Sequence, residues 1–159
     1  MQRSNKQIGE ILIEKGLLTP QQLDDVLREQ KLTKEFIGAI LLRRRFVSEA
    51  DFLGALSTQF GYPYITLQKE NVDLAVAMQF SATYVLDHKC VPIGQSEYAV
   101  TVAIVNPLDA WSISGLEKEA KMRRVECVLI SQADMHLLIQ DYLEYRQKHM
   151  RRIFGDKEE

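Results

Sequence analysis

Side chains able to do chemistry are few in this 159-residue chain, and they are scattered. The three histidines, His88, His136 and His149, have no partner at metal-ligand spacing, and neither His-Glu-x-x-His nor Cys-x-x-Cys occurs. His136 falls in an amphipathic stretch and reads as an ordinary boundary residue. Cys90 and Cys127 lie far apart inside apolar, strand-like runs, the setting of buried reduced thiols rather than of a disulfide or metal centre. No Gly-x-x-x-x-Gly-Lys-Ser/Thr phosphate loop and no Gly-x-Ser-x-Gly elbow is present. Nothing here points to catalysis, a metal or a resident cofactor. The remaining concentration of charge is Arg43-Arg44-Arg45, just ahead of Ser48. A helix beginning after Ser48 would offer free N–H groups and a positive dipole end, so the triplet is a candidate anion site for a phosphate or an acidic surface. The competing reading is a solvated basic face. The aromatic group Phe46, Phe52, Phe60, Tyr62 and Tyr64 reads as core filler rather than a base-stacking platform.

The elements that would position these residues are written twice. Residues 7–30 and 36–59 repeat one 24-residue pattern at an offset of 29, with a five-residue spacer between them. The matches include Gly9 with Gly38, Leu12 with Leu41, Leu27 with Leu56 and Gln30 with Gln59. Within a unit, Ile8, Ile11 and Leu12 have the i, i+3, i+4 spacing of a helical stripe. Gly16 is placed to end that helix in the left-handed conformation. Thr19-Pro20-Gln21-Gln22 then combines an N-cap, a first-turn proline and a capping-box glutamine, and Leu23, Val26, Leu27 and Gln30 come next on one face. The second unit has Ser48 as cap, with Asp51 in the box. Arg45 stands where Gly16 stood, which predicts a less clean helix end. Helices this short are marginal alone, so the two hairpins must pack on each other or on the chain beyond residue 60.

Beyond residue 60 the periodicity changes. Tyr64–Leu67 reads as a short strand, 72–78 and 81–86 as short helices, and Cys90–Ile93 as a strand whose Pro92 marks an edge or end. Gly94–Glu97 reads as a hairpin turn into a strand over Tyr98–Val105. A helix capped by Asp109 and containing Trp111 runs to about Lys121. Val125–Ile130 reads as a strand covered on both faces, and Ser131 opens a last helix reaching about Lys148. The fold class is α+β, with domains at 1–60 (two duplicated helical hairpins) and 61–148 (a three- to four-stranded sheet with packed helices, some pairing parallel), and a frayed tail at 149–159.

Twenty basic against 22 acidic residues leave a net charge of −2, giving no global pull toward nucleic acid or anionic lipid. No apolar stretch of membrane-spanning length and no signal peptide is present, so the cytoplasm is expected.

The duplicated unit, with Phe60-Gly61-Tyr62-Pro63-Tyr64, Val91-Pro92-Ile93 and Val102-Ala103-Ile104-Val105-Asn106-Pro107-Leu108-Asp109 downstream, resembles the N-terminal domain of type II secretion and type IV pilus assembly ATPases, the general secretory pathway protein E family. In that family the pair is called the MshEN domain where it binds cyclic di-GMP. The resemblance covers about residues 6–145. It implies a non-catalytic regulatory and docking module whose partner is the cytoplasmic region of an inner-membrane platform protein, with the ATPase domain of the same system nearby and the membrane reached only through a partner. It implies as an alternative a cyclic di-GMP receptor using Gln7, Ile8, Gly9, Leu12, Gly16, Leu17 and Gln30 of the first unit and Ile37, Gly38, Leu41 and Gln59 of the second. Gln7 departs from the family arginine, which stacks on and forks to guanine. A free-standing adaptor binding an unrelated protein is the third reading.

Overall fold

The computed structural model describes residues 5–107 and 110–155. The chain forms two compact units that divide between Tyr64 and Ile65.

The first unit contains four helices: α1 (Ile8–Glu14), α2 (Pro20–Thr33), α3 (Ile37–Arg43) and α4 (Glu49–Phe60). The capping residues act as their types predict. The Thr19 hydroxyl accepts the Gln22 N–H at 3.2 Å while the Gln22 side chain accepts the Thr19 N–H at 2.9 Å. Ser48 accepts the Asp51 N–H at 3.1 Å and donates its hydroxyl to the Asp51 carboxylate at 2.6 Å. Packing crosses between the repeats: α1 lies against α4, and α2 against α3. Exchanging the repeats turns one contact into the other, so the pair has a pseudo-two-fold arrangement. Its core is Ile11, Leu12, Val26, Ile40, Leu41, Leu53, Ala55 and Leu56, all buried.

One expectation is corrected here. Arg45 does not loosen the end of α3. It sits at φ +55°, as Gly16 sits at +70° after α1. The Leu17 and Phe46 N–H groups donate to the Leu12 and Leu41 carbonyls at 2.9 and 3.0 Å, and the Gly16 and Arg45 N–H groups to those of Ile13 and Leu42 at 2.9 and 3.0 Å. Both ends are Schellman motifs. The closing hydrogen bonds, with Leu41 before the turn and Val47 after it buried, hold Arg45 in a conformation its Cβ disfavours.

The second unit is a three-stranded sheet with helices: α5 (Leu74–Ala77), α6 (Ala82–His88), β1 (Cys90–Gln95), β2 (Ala99–Ile104), α7 (Ala110–Glu119), β3 (Arg124–Leu129) and α8 (Gln132–Phe154). Strand order is β1-β2-β3, with β1 antiparallel to β2 and β3 parallel to it across α7. Pro92 lies on the edge strand, and the register shifts between Pro92 and Gly94. The extra residue is Ile93, whose carbonyl turns to accept the Asp73 N–H at 2.8 Å. Cys90 on β1 and Cys127 on β3 are buried thiols with β2 between them.

Three further expectations change. Ile65–Leu67 forms no strand: Ile65 makes one bond to the Leu129 carbonyl at 2.9 Å, and the Leu67 N–H then turns to the Asp134 carboxylate on α8 at 3.5 Å. β3 is not covered on both faces; it is an edge strand in which Cys127 and Leu129 are buried while Arg124 and Glu126 are exposed and ion-paired. Residues 149–154 are not a frayed tail, since α8 continues through them. Met150, Arg151 and Arg152 are good helix formers, and the two arginines in the last turn suit the helix dipole. Asp109, the expected cap of α7, and residues 156–159 lie outside the described residues. No helix among the described residues is long and apolar enough to cross a membrane.

Candidate functional site

The residues singled out in the repeats fall into three physical groups. Ile8, Gly9 and Leu12 on α1, and Gly38 and Leu41 on α3, are buried; Ile37 and Leu17 are half-buried. The two glycines are contact points for a helix of their own repeat. A Cβ on Gly9 would stand 2.7 Å from a Leu23 methyl, and one on Gly38 would stand 2.5 Å from the Phe52 ring. Leu23 and Phe52 occupy the same position in the two units, so one packing rule explains both glycines. A bulky residue at either place would test the fold before it tested a ligand.

The second group is polar. Gln7 precedes α1, is exposed, and donates its backbone N–H to the Glu10 carboxylate at 2.9 Å. Lys6 beside it is ion-paired with Glu14. The repeat-matched Phe36 is 69 % exposed, so neither repeat opens on a guanidinium. The terminal glutamines differ. The Gln30 side-chain amide donates to the Glu35 carbonyl at 3.2 Å. The Gln59 Oε1 is buried and accepts no hydrogen bond among the described residues.

The third group is the arginine triplet, which does not act as one cluster. The Arg43 guanidinium donates to Glu29 Oε1 at 2.6 Å and to Glu35 Oε1 at 3.2 Å. Arg44 pairs with the other Glu29 oxygen at 2.5 Å and sits 5.7 Å from the Phe46 ring centre. Arg45 occupies the left-handed turn. The hydrogen bond from Arg43, with Arg44 adding to it against the opposing effect of burial, holds the Glu29 carboxyl below its ordinary pKa. Glu29 in turn raises that of Arg43, with Glu35 contributing. The start of α4 already carries Glu49, Asp51 and the Ser48 cap, which compete with any outside anion. Sequence reasoning missed Glu29 and Glu35, because no local spacing connects residues 14 and eight positions from Arg43.

Among the described residues no group of three or more His, Cys, Asp or Glu side chains could hold a metal ion. Burial, with the charge of Glu117, pushes the Cys127 thiol up to about 11, which keeps it protonated and unreactive.

The chain thus joins a duplicated helical pair to a three-stranded α+β unit. Residues 60–149, more than half of the chain, match the MshEN domain model, and the chain belongs to that family. The matched stretch begins where the second repeat ends. Across 149 residues the chain is 25 % identical to a type IV pilus assembly ATPase PilB of Myxococcus xanthus, covering 94 % of this chain and 26 % of the relative. It thus spans about a quarter of that protein's length. A solved structure described as MshE with cdg superposes with a TM-score of 0.81 at 25 % identity, covering 87 % of this chain and 99 % of the other. The N-terminal domain of XpsE superposes with a TM-score of 0.63 at 18 % identity, over 89 % of this chain and 97 % of the other, a likeness of fold.

Proposed function

We propose that the chain is a non-catalytic regulatory and docking module of a type II secretion or type IV pilus assembly ATPase, binding the cytoplasmic region of an inner-membrane platform protein. The observation that carries the reading is the alignment of 94 % of this chain with 26 % of a pilus assembly ATPase, which supports reading it as one part of a larger assembly. The physical character of the first unit supports it. Its four helices pack reciprocally, α1 on α4 and α2 on α3, and Arg43 and Arg44 are paired with Glu29 and Glu35, which suits a scaffold rather than an anion site. In this reading the module works in the cytoplasm and reaches the inner membrane only through its partner.

A second reading is a cyclic di-GMP receptor. The likeness to MshE with cdg supports it, and so does the unmatched Gln59 acceptor, which a guanine N–H could satisfy. Gln7 and Phe36 weigh against it, because neither can both stack on and fork to a guanine. Isothermal titration separates the two. Saturable binding of the purified cytoplasmic platform region, with no heat from cyclic di-GMP, ATP or GTP, supports docking. Cyclic di-GMP heat that strengthens in Gln7→Arg, with no platform binding, replaces docking by the receptor.

A further inference from the structure

Helix α8 carries two apolar stripes and buries one of them. Met135, Leu138 and Tyr142 are buried, and the half-buried Tyr145 and His149 carry that stripe onward at three- and four-residue spacing. Ile139, Leu143, Arg146, Met150 and Ile153 form a second stripe of the same spacing, which helical geometry turns by about 80° from the first. This one is left open. Leu143, Met150 and Ile153 are 44 %, 38 % and 58 % exposed, and no side chain described after Tyr142 is buried. Charge avoids the open stripe, apart from Arg146 within it. Asp141, Glu144, Lys148, Arg151 and Arg152 all lie at least about 120° from its centre, and Glu144 pairs with Lys148 at 3.9 Å on that far side. The positions flanking the stripe, Gln140 and Gln147 on one side and Tyr142 and His149 on the other, bear no fixed charge.

We infer that α8 pairs with α8 of a second copy of this chain, antiparallel, through the stripe from Leu143 to Ile153. Apolar positions alternating three and four apart, with charge kept to the far side, form the seam of paired helices. In such pairs the charges flanking the seam choose the partner and its direction. Here the flanks carry none, so they neither repel an identical helix nor call for a foreign one of complementary charge. Arg146 sets the direction. A parallel copy would bring two guanidinium groups together at the seam. In the antiparallel register that lays Leu143 on Ile153 of the other copy, each Arg146 lies along Met150 instead, its stem on the thioether and its head in water. The two helix dipoles then oppose one another, which is the favourable arrangement. The ten-residue seam is about 15 Å long, so the pairing is weak and concentration-dependent rather than obligate.

The inference goes beyond the docking reading and does not rest on it. The test is analytical ultracentrifugation of the full chain from about 1 μM to 1 mM, the range of weak association, with circular dichroism confirming that each variant is folded. The expected result is a weight-average mass that rises from 18.3 kDa toward twice that value. Leu143→Glu should weaken the association at least about tenfold, because a carboxylate would enter the apolar seam. Arg146→Leu should tighten it, and Leu137→Glu, an exposed position of α8 outside the stripe, should leave it unchanged. A mass that stays at 18.3 kDa at every concentration would overturn the inference, as would association that Leu143→Glu leaves intact or that Leu137→Glu abolishes. A monomeric chain whose binding to the cytoplasmic platform region is lost in Leu143→Glu would overturn the second copy in favour of that partner.

Discussion

Replacing Arg45 by glycine should stabilise the protein, although it deletes a charged side chain from a basic triplet. Arg45 is an exposed residue at φ +55°, closing α3 with the same two hydrogen bonds that Gly16 uses at φ +70° to close α1. A left-handed residue with a Cβ costs about 1–2 kcal/mol relative to glycine in the folded chain. Glycine's greater freedom in the unfolded chain returns about 0.5–1 kcal/mol of that. The net for Arg45→Gly is therefore a stabilisation of about 0.5–1 kcal/mol. The reciprocal change, Gly16→Ala, should destabilise by a similar amount. Among the described residues no atom beyond its chain neighbours lies within 4 Å of a Cβ built at Gly16, so tertiary clash does not enter and the change reports the backbone conformation. Urea unfolding reads both, as shifts of midpoint in opposite directions at constant slope. An Arg45→Gly variant no more stable than wild type would refute the reasoning, showing that the Arg45 side chain contributes more than its conformation costs.

Gly38→Ala should cost about 1–3 kcal/mol because the Phe52 ring must move, and Gly9→Ala less because a leucine end can turn away; thermal unfolding of the two variants ranks them. Glu29→Gln should destabilise at neutral pH. The folded Glu29 pKa is depressed, so its contribution is present above the unfolded value of 4.5 and is lost as pH falls through the folded one; the gap between variant and wild type should close on acidification and persist at neutral pH. Native Cys127, 4 % exposed and with its thiol pushed up to about 11, should resist iodoacetamide in mildly alkaline buffer and react promptly once urea unfolds the chain, as mass spectrometry can track.

Much of this molecule is legible in its sequence because its strongest signals are local. The offset of 29 between Gly9 and Gly38 defines both repeats. The caps at Thr19, Ser48, Ser81 and Ser131 accept the backbone N–H groups that their types predict. What sequence cannot express is tertiary demand. Arg45 adopts a glycine conformation because the repeat around it fixes the turn, and composition alone gives the opposite expectation. Tyr64–Leu67 has strand-like alternation, but a strand needs a ladder, and the Leu67 N–H leaves for Asp134. Val125–Ile130 reads as doubly covered, yet its place at the sheet edge is decided by the order β1-β2-β3. The candidate site divides the same way. Gly9 and Gly38 stand out by repetition, while their partners Leu23 and Phe52, and the carboxylates that neutralise Arg43 and Arg44, emerge only in three dimensions.

The most direct measurement of the central claim is the affinity of the full chain for the purified cytoplasmic region of the platform protein, measured without and with cyclic di-GMP. The account predicts saturable binding that the nucleotide leaves unchanged. Absence of binding until cyclic di-GMP is added would contradict it, and would make the chain a nucleotide-operated switch rather than a constitutive docking module.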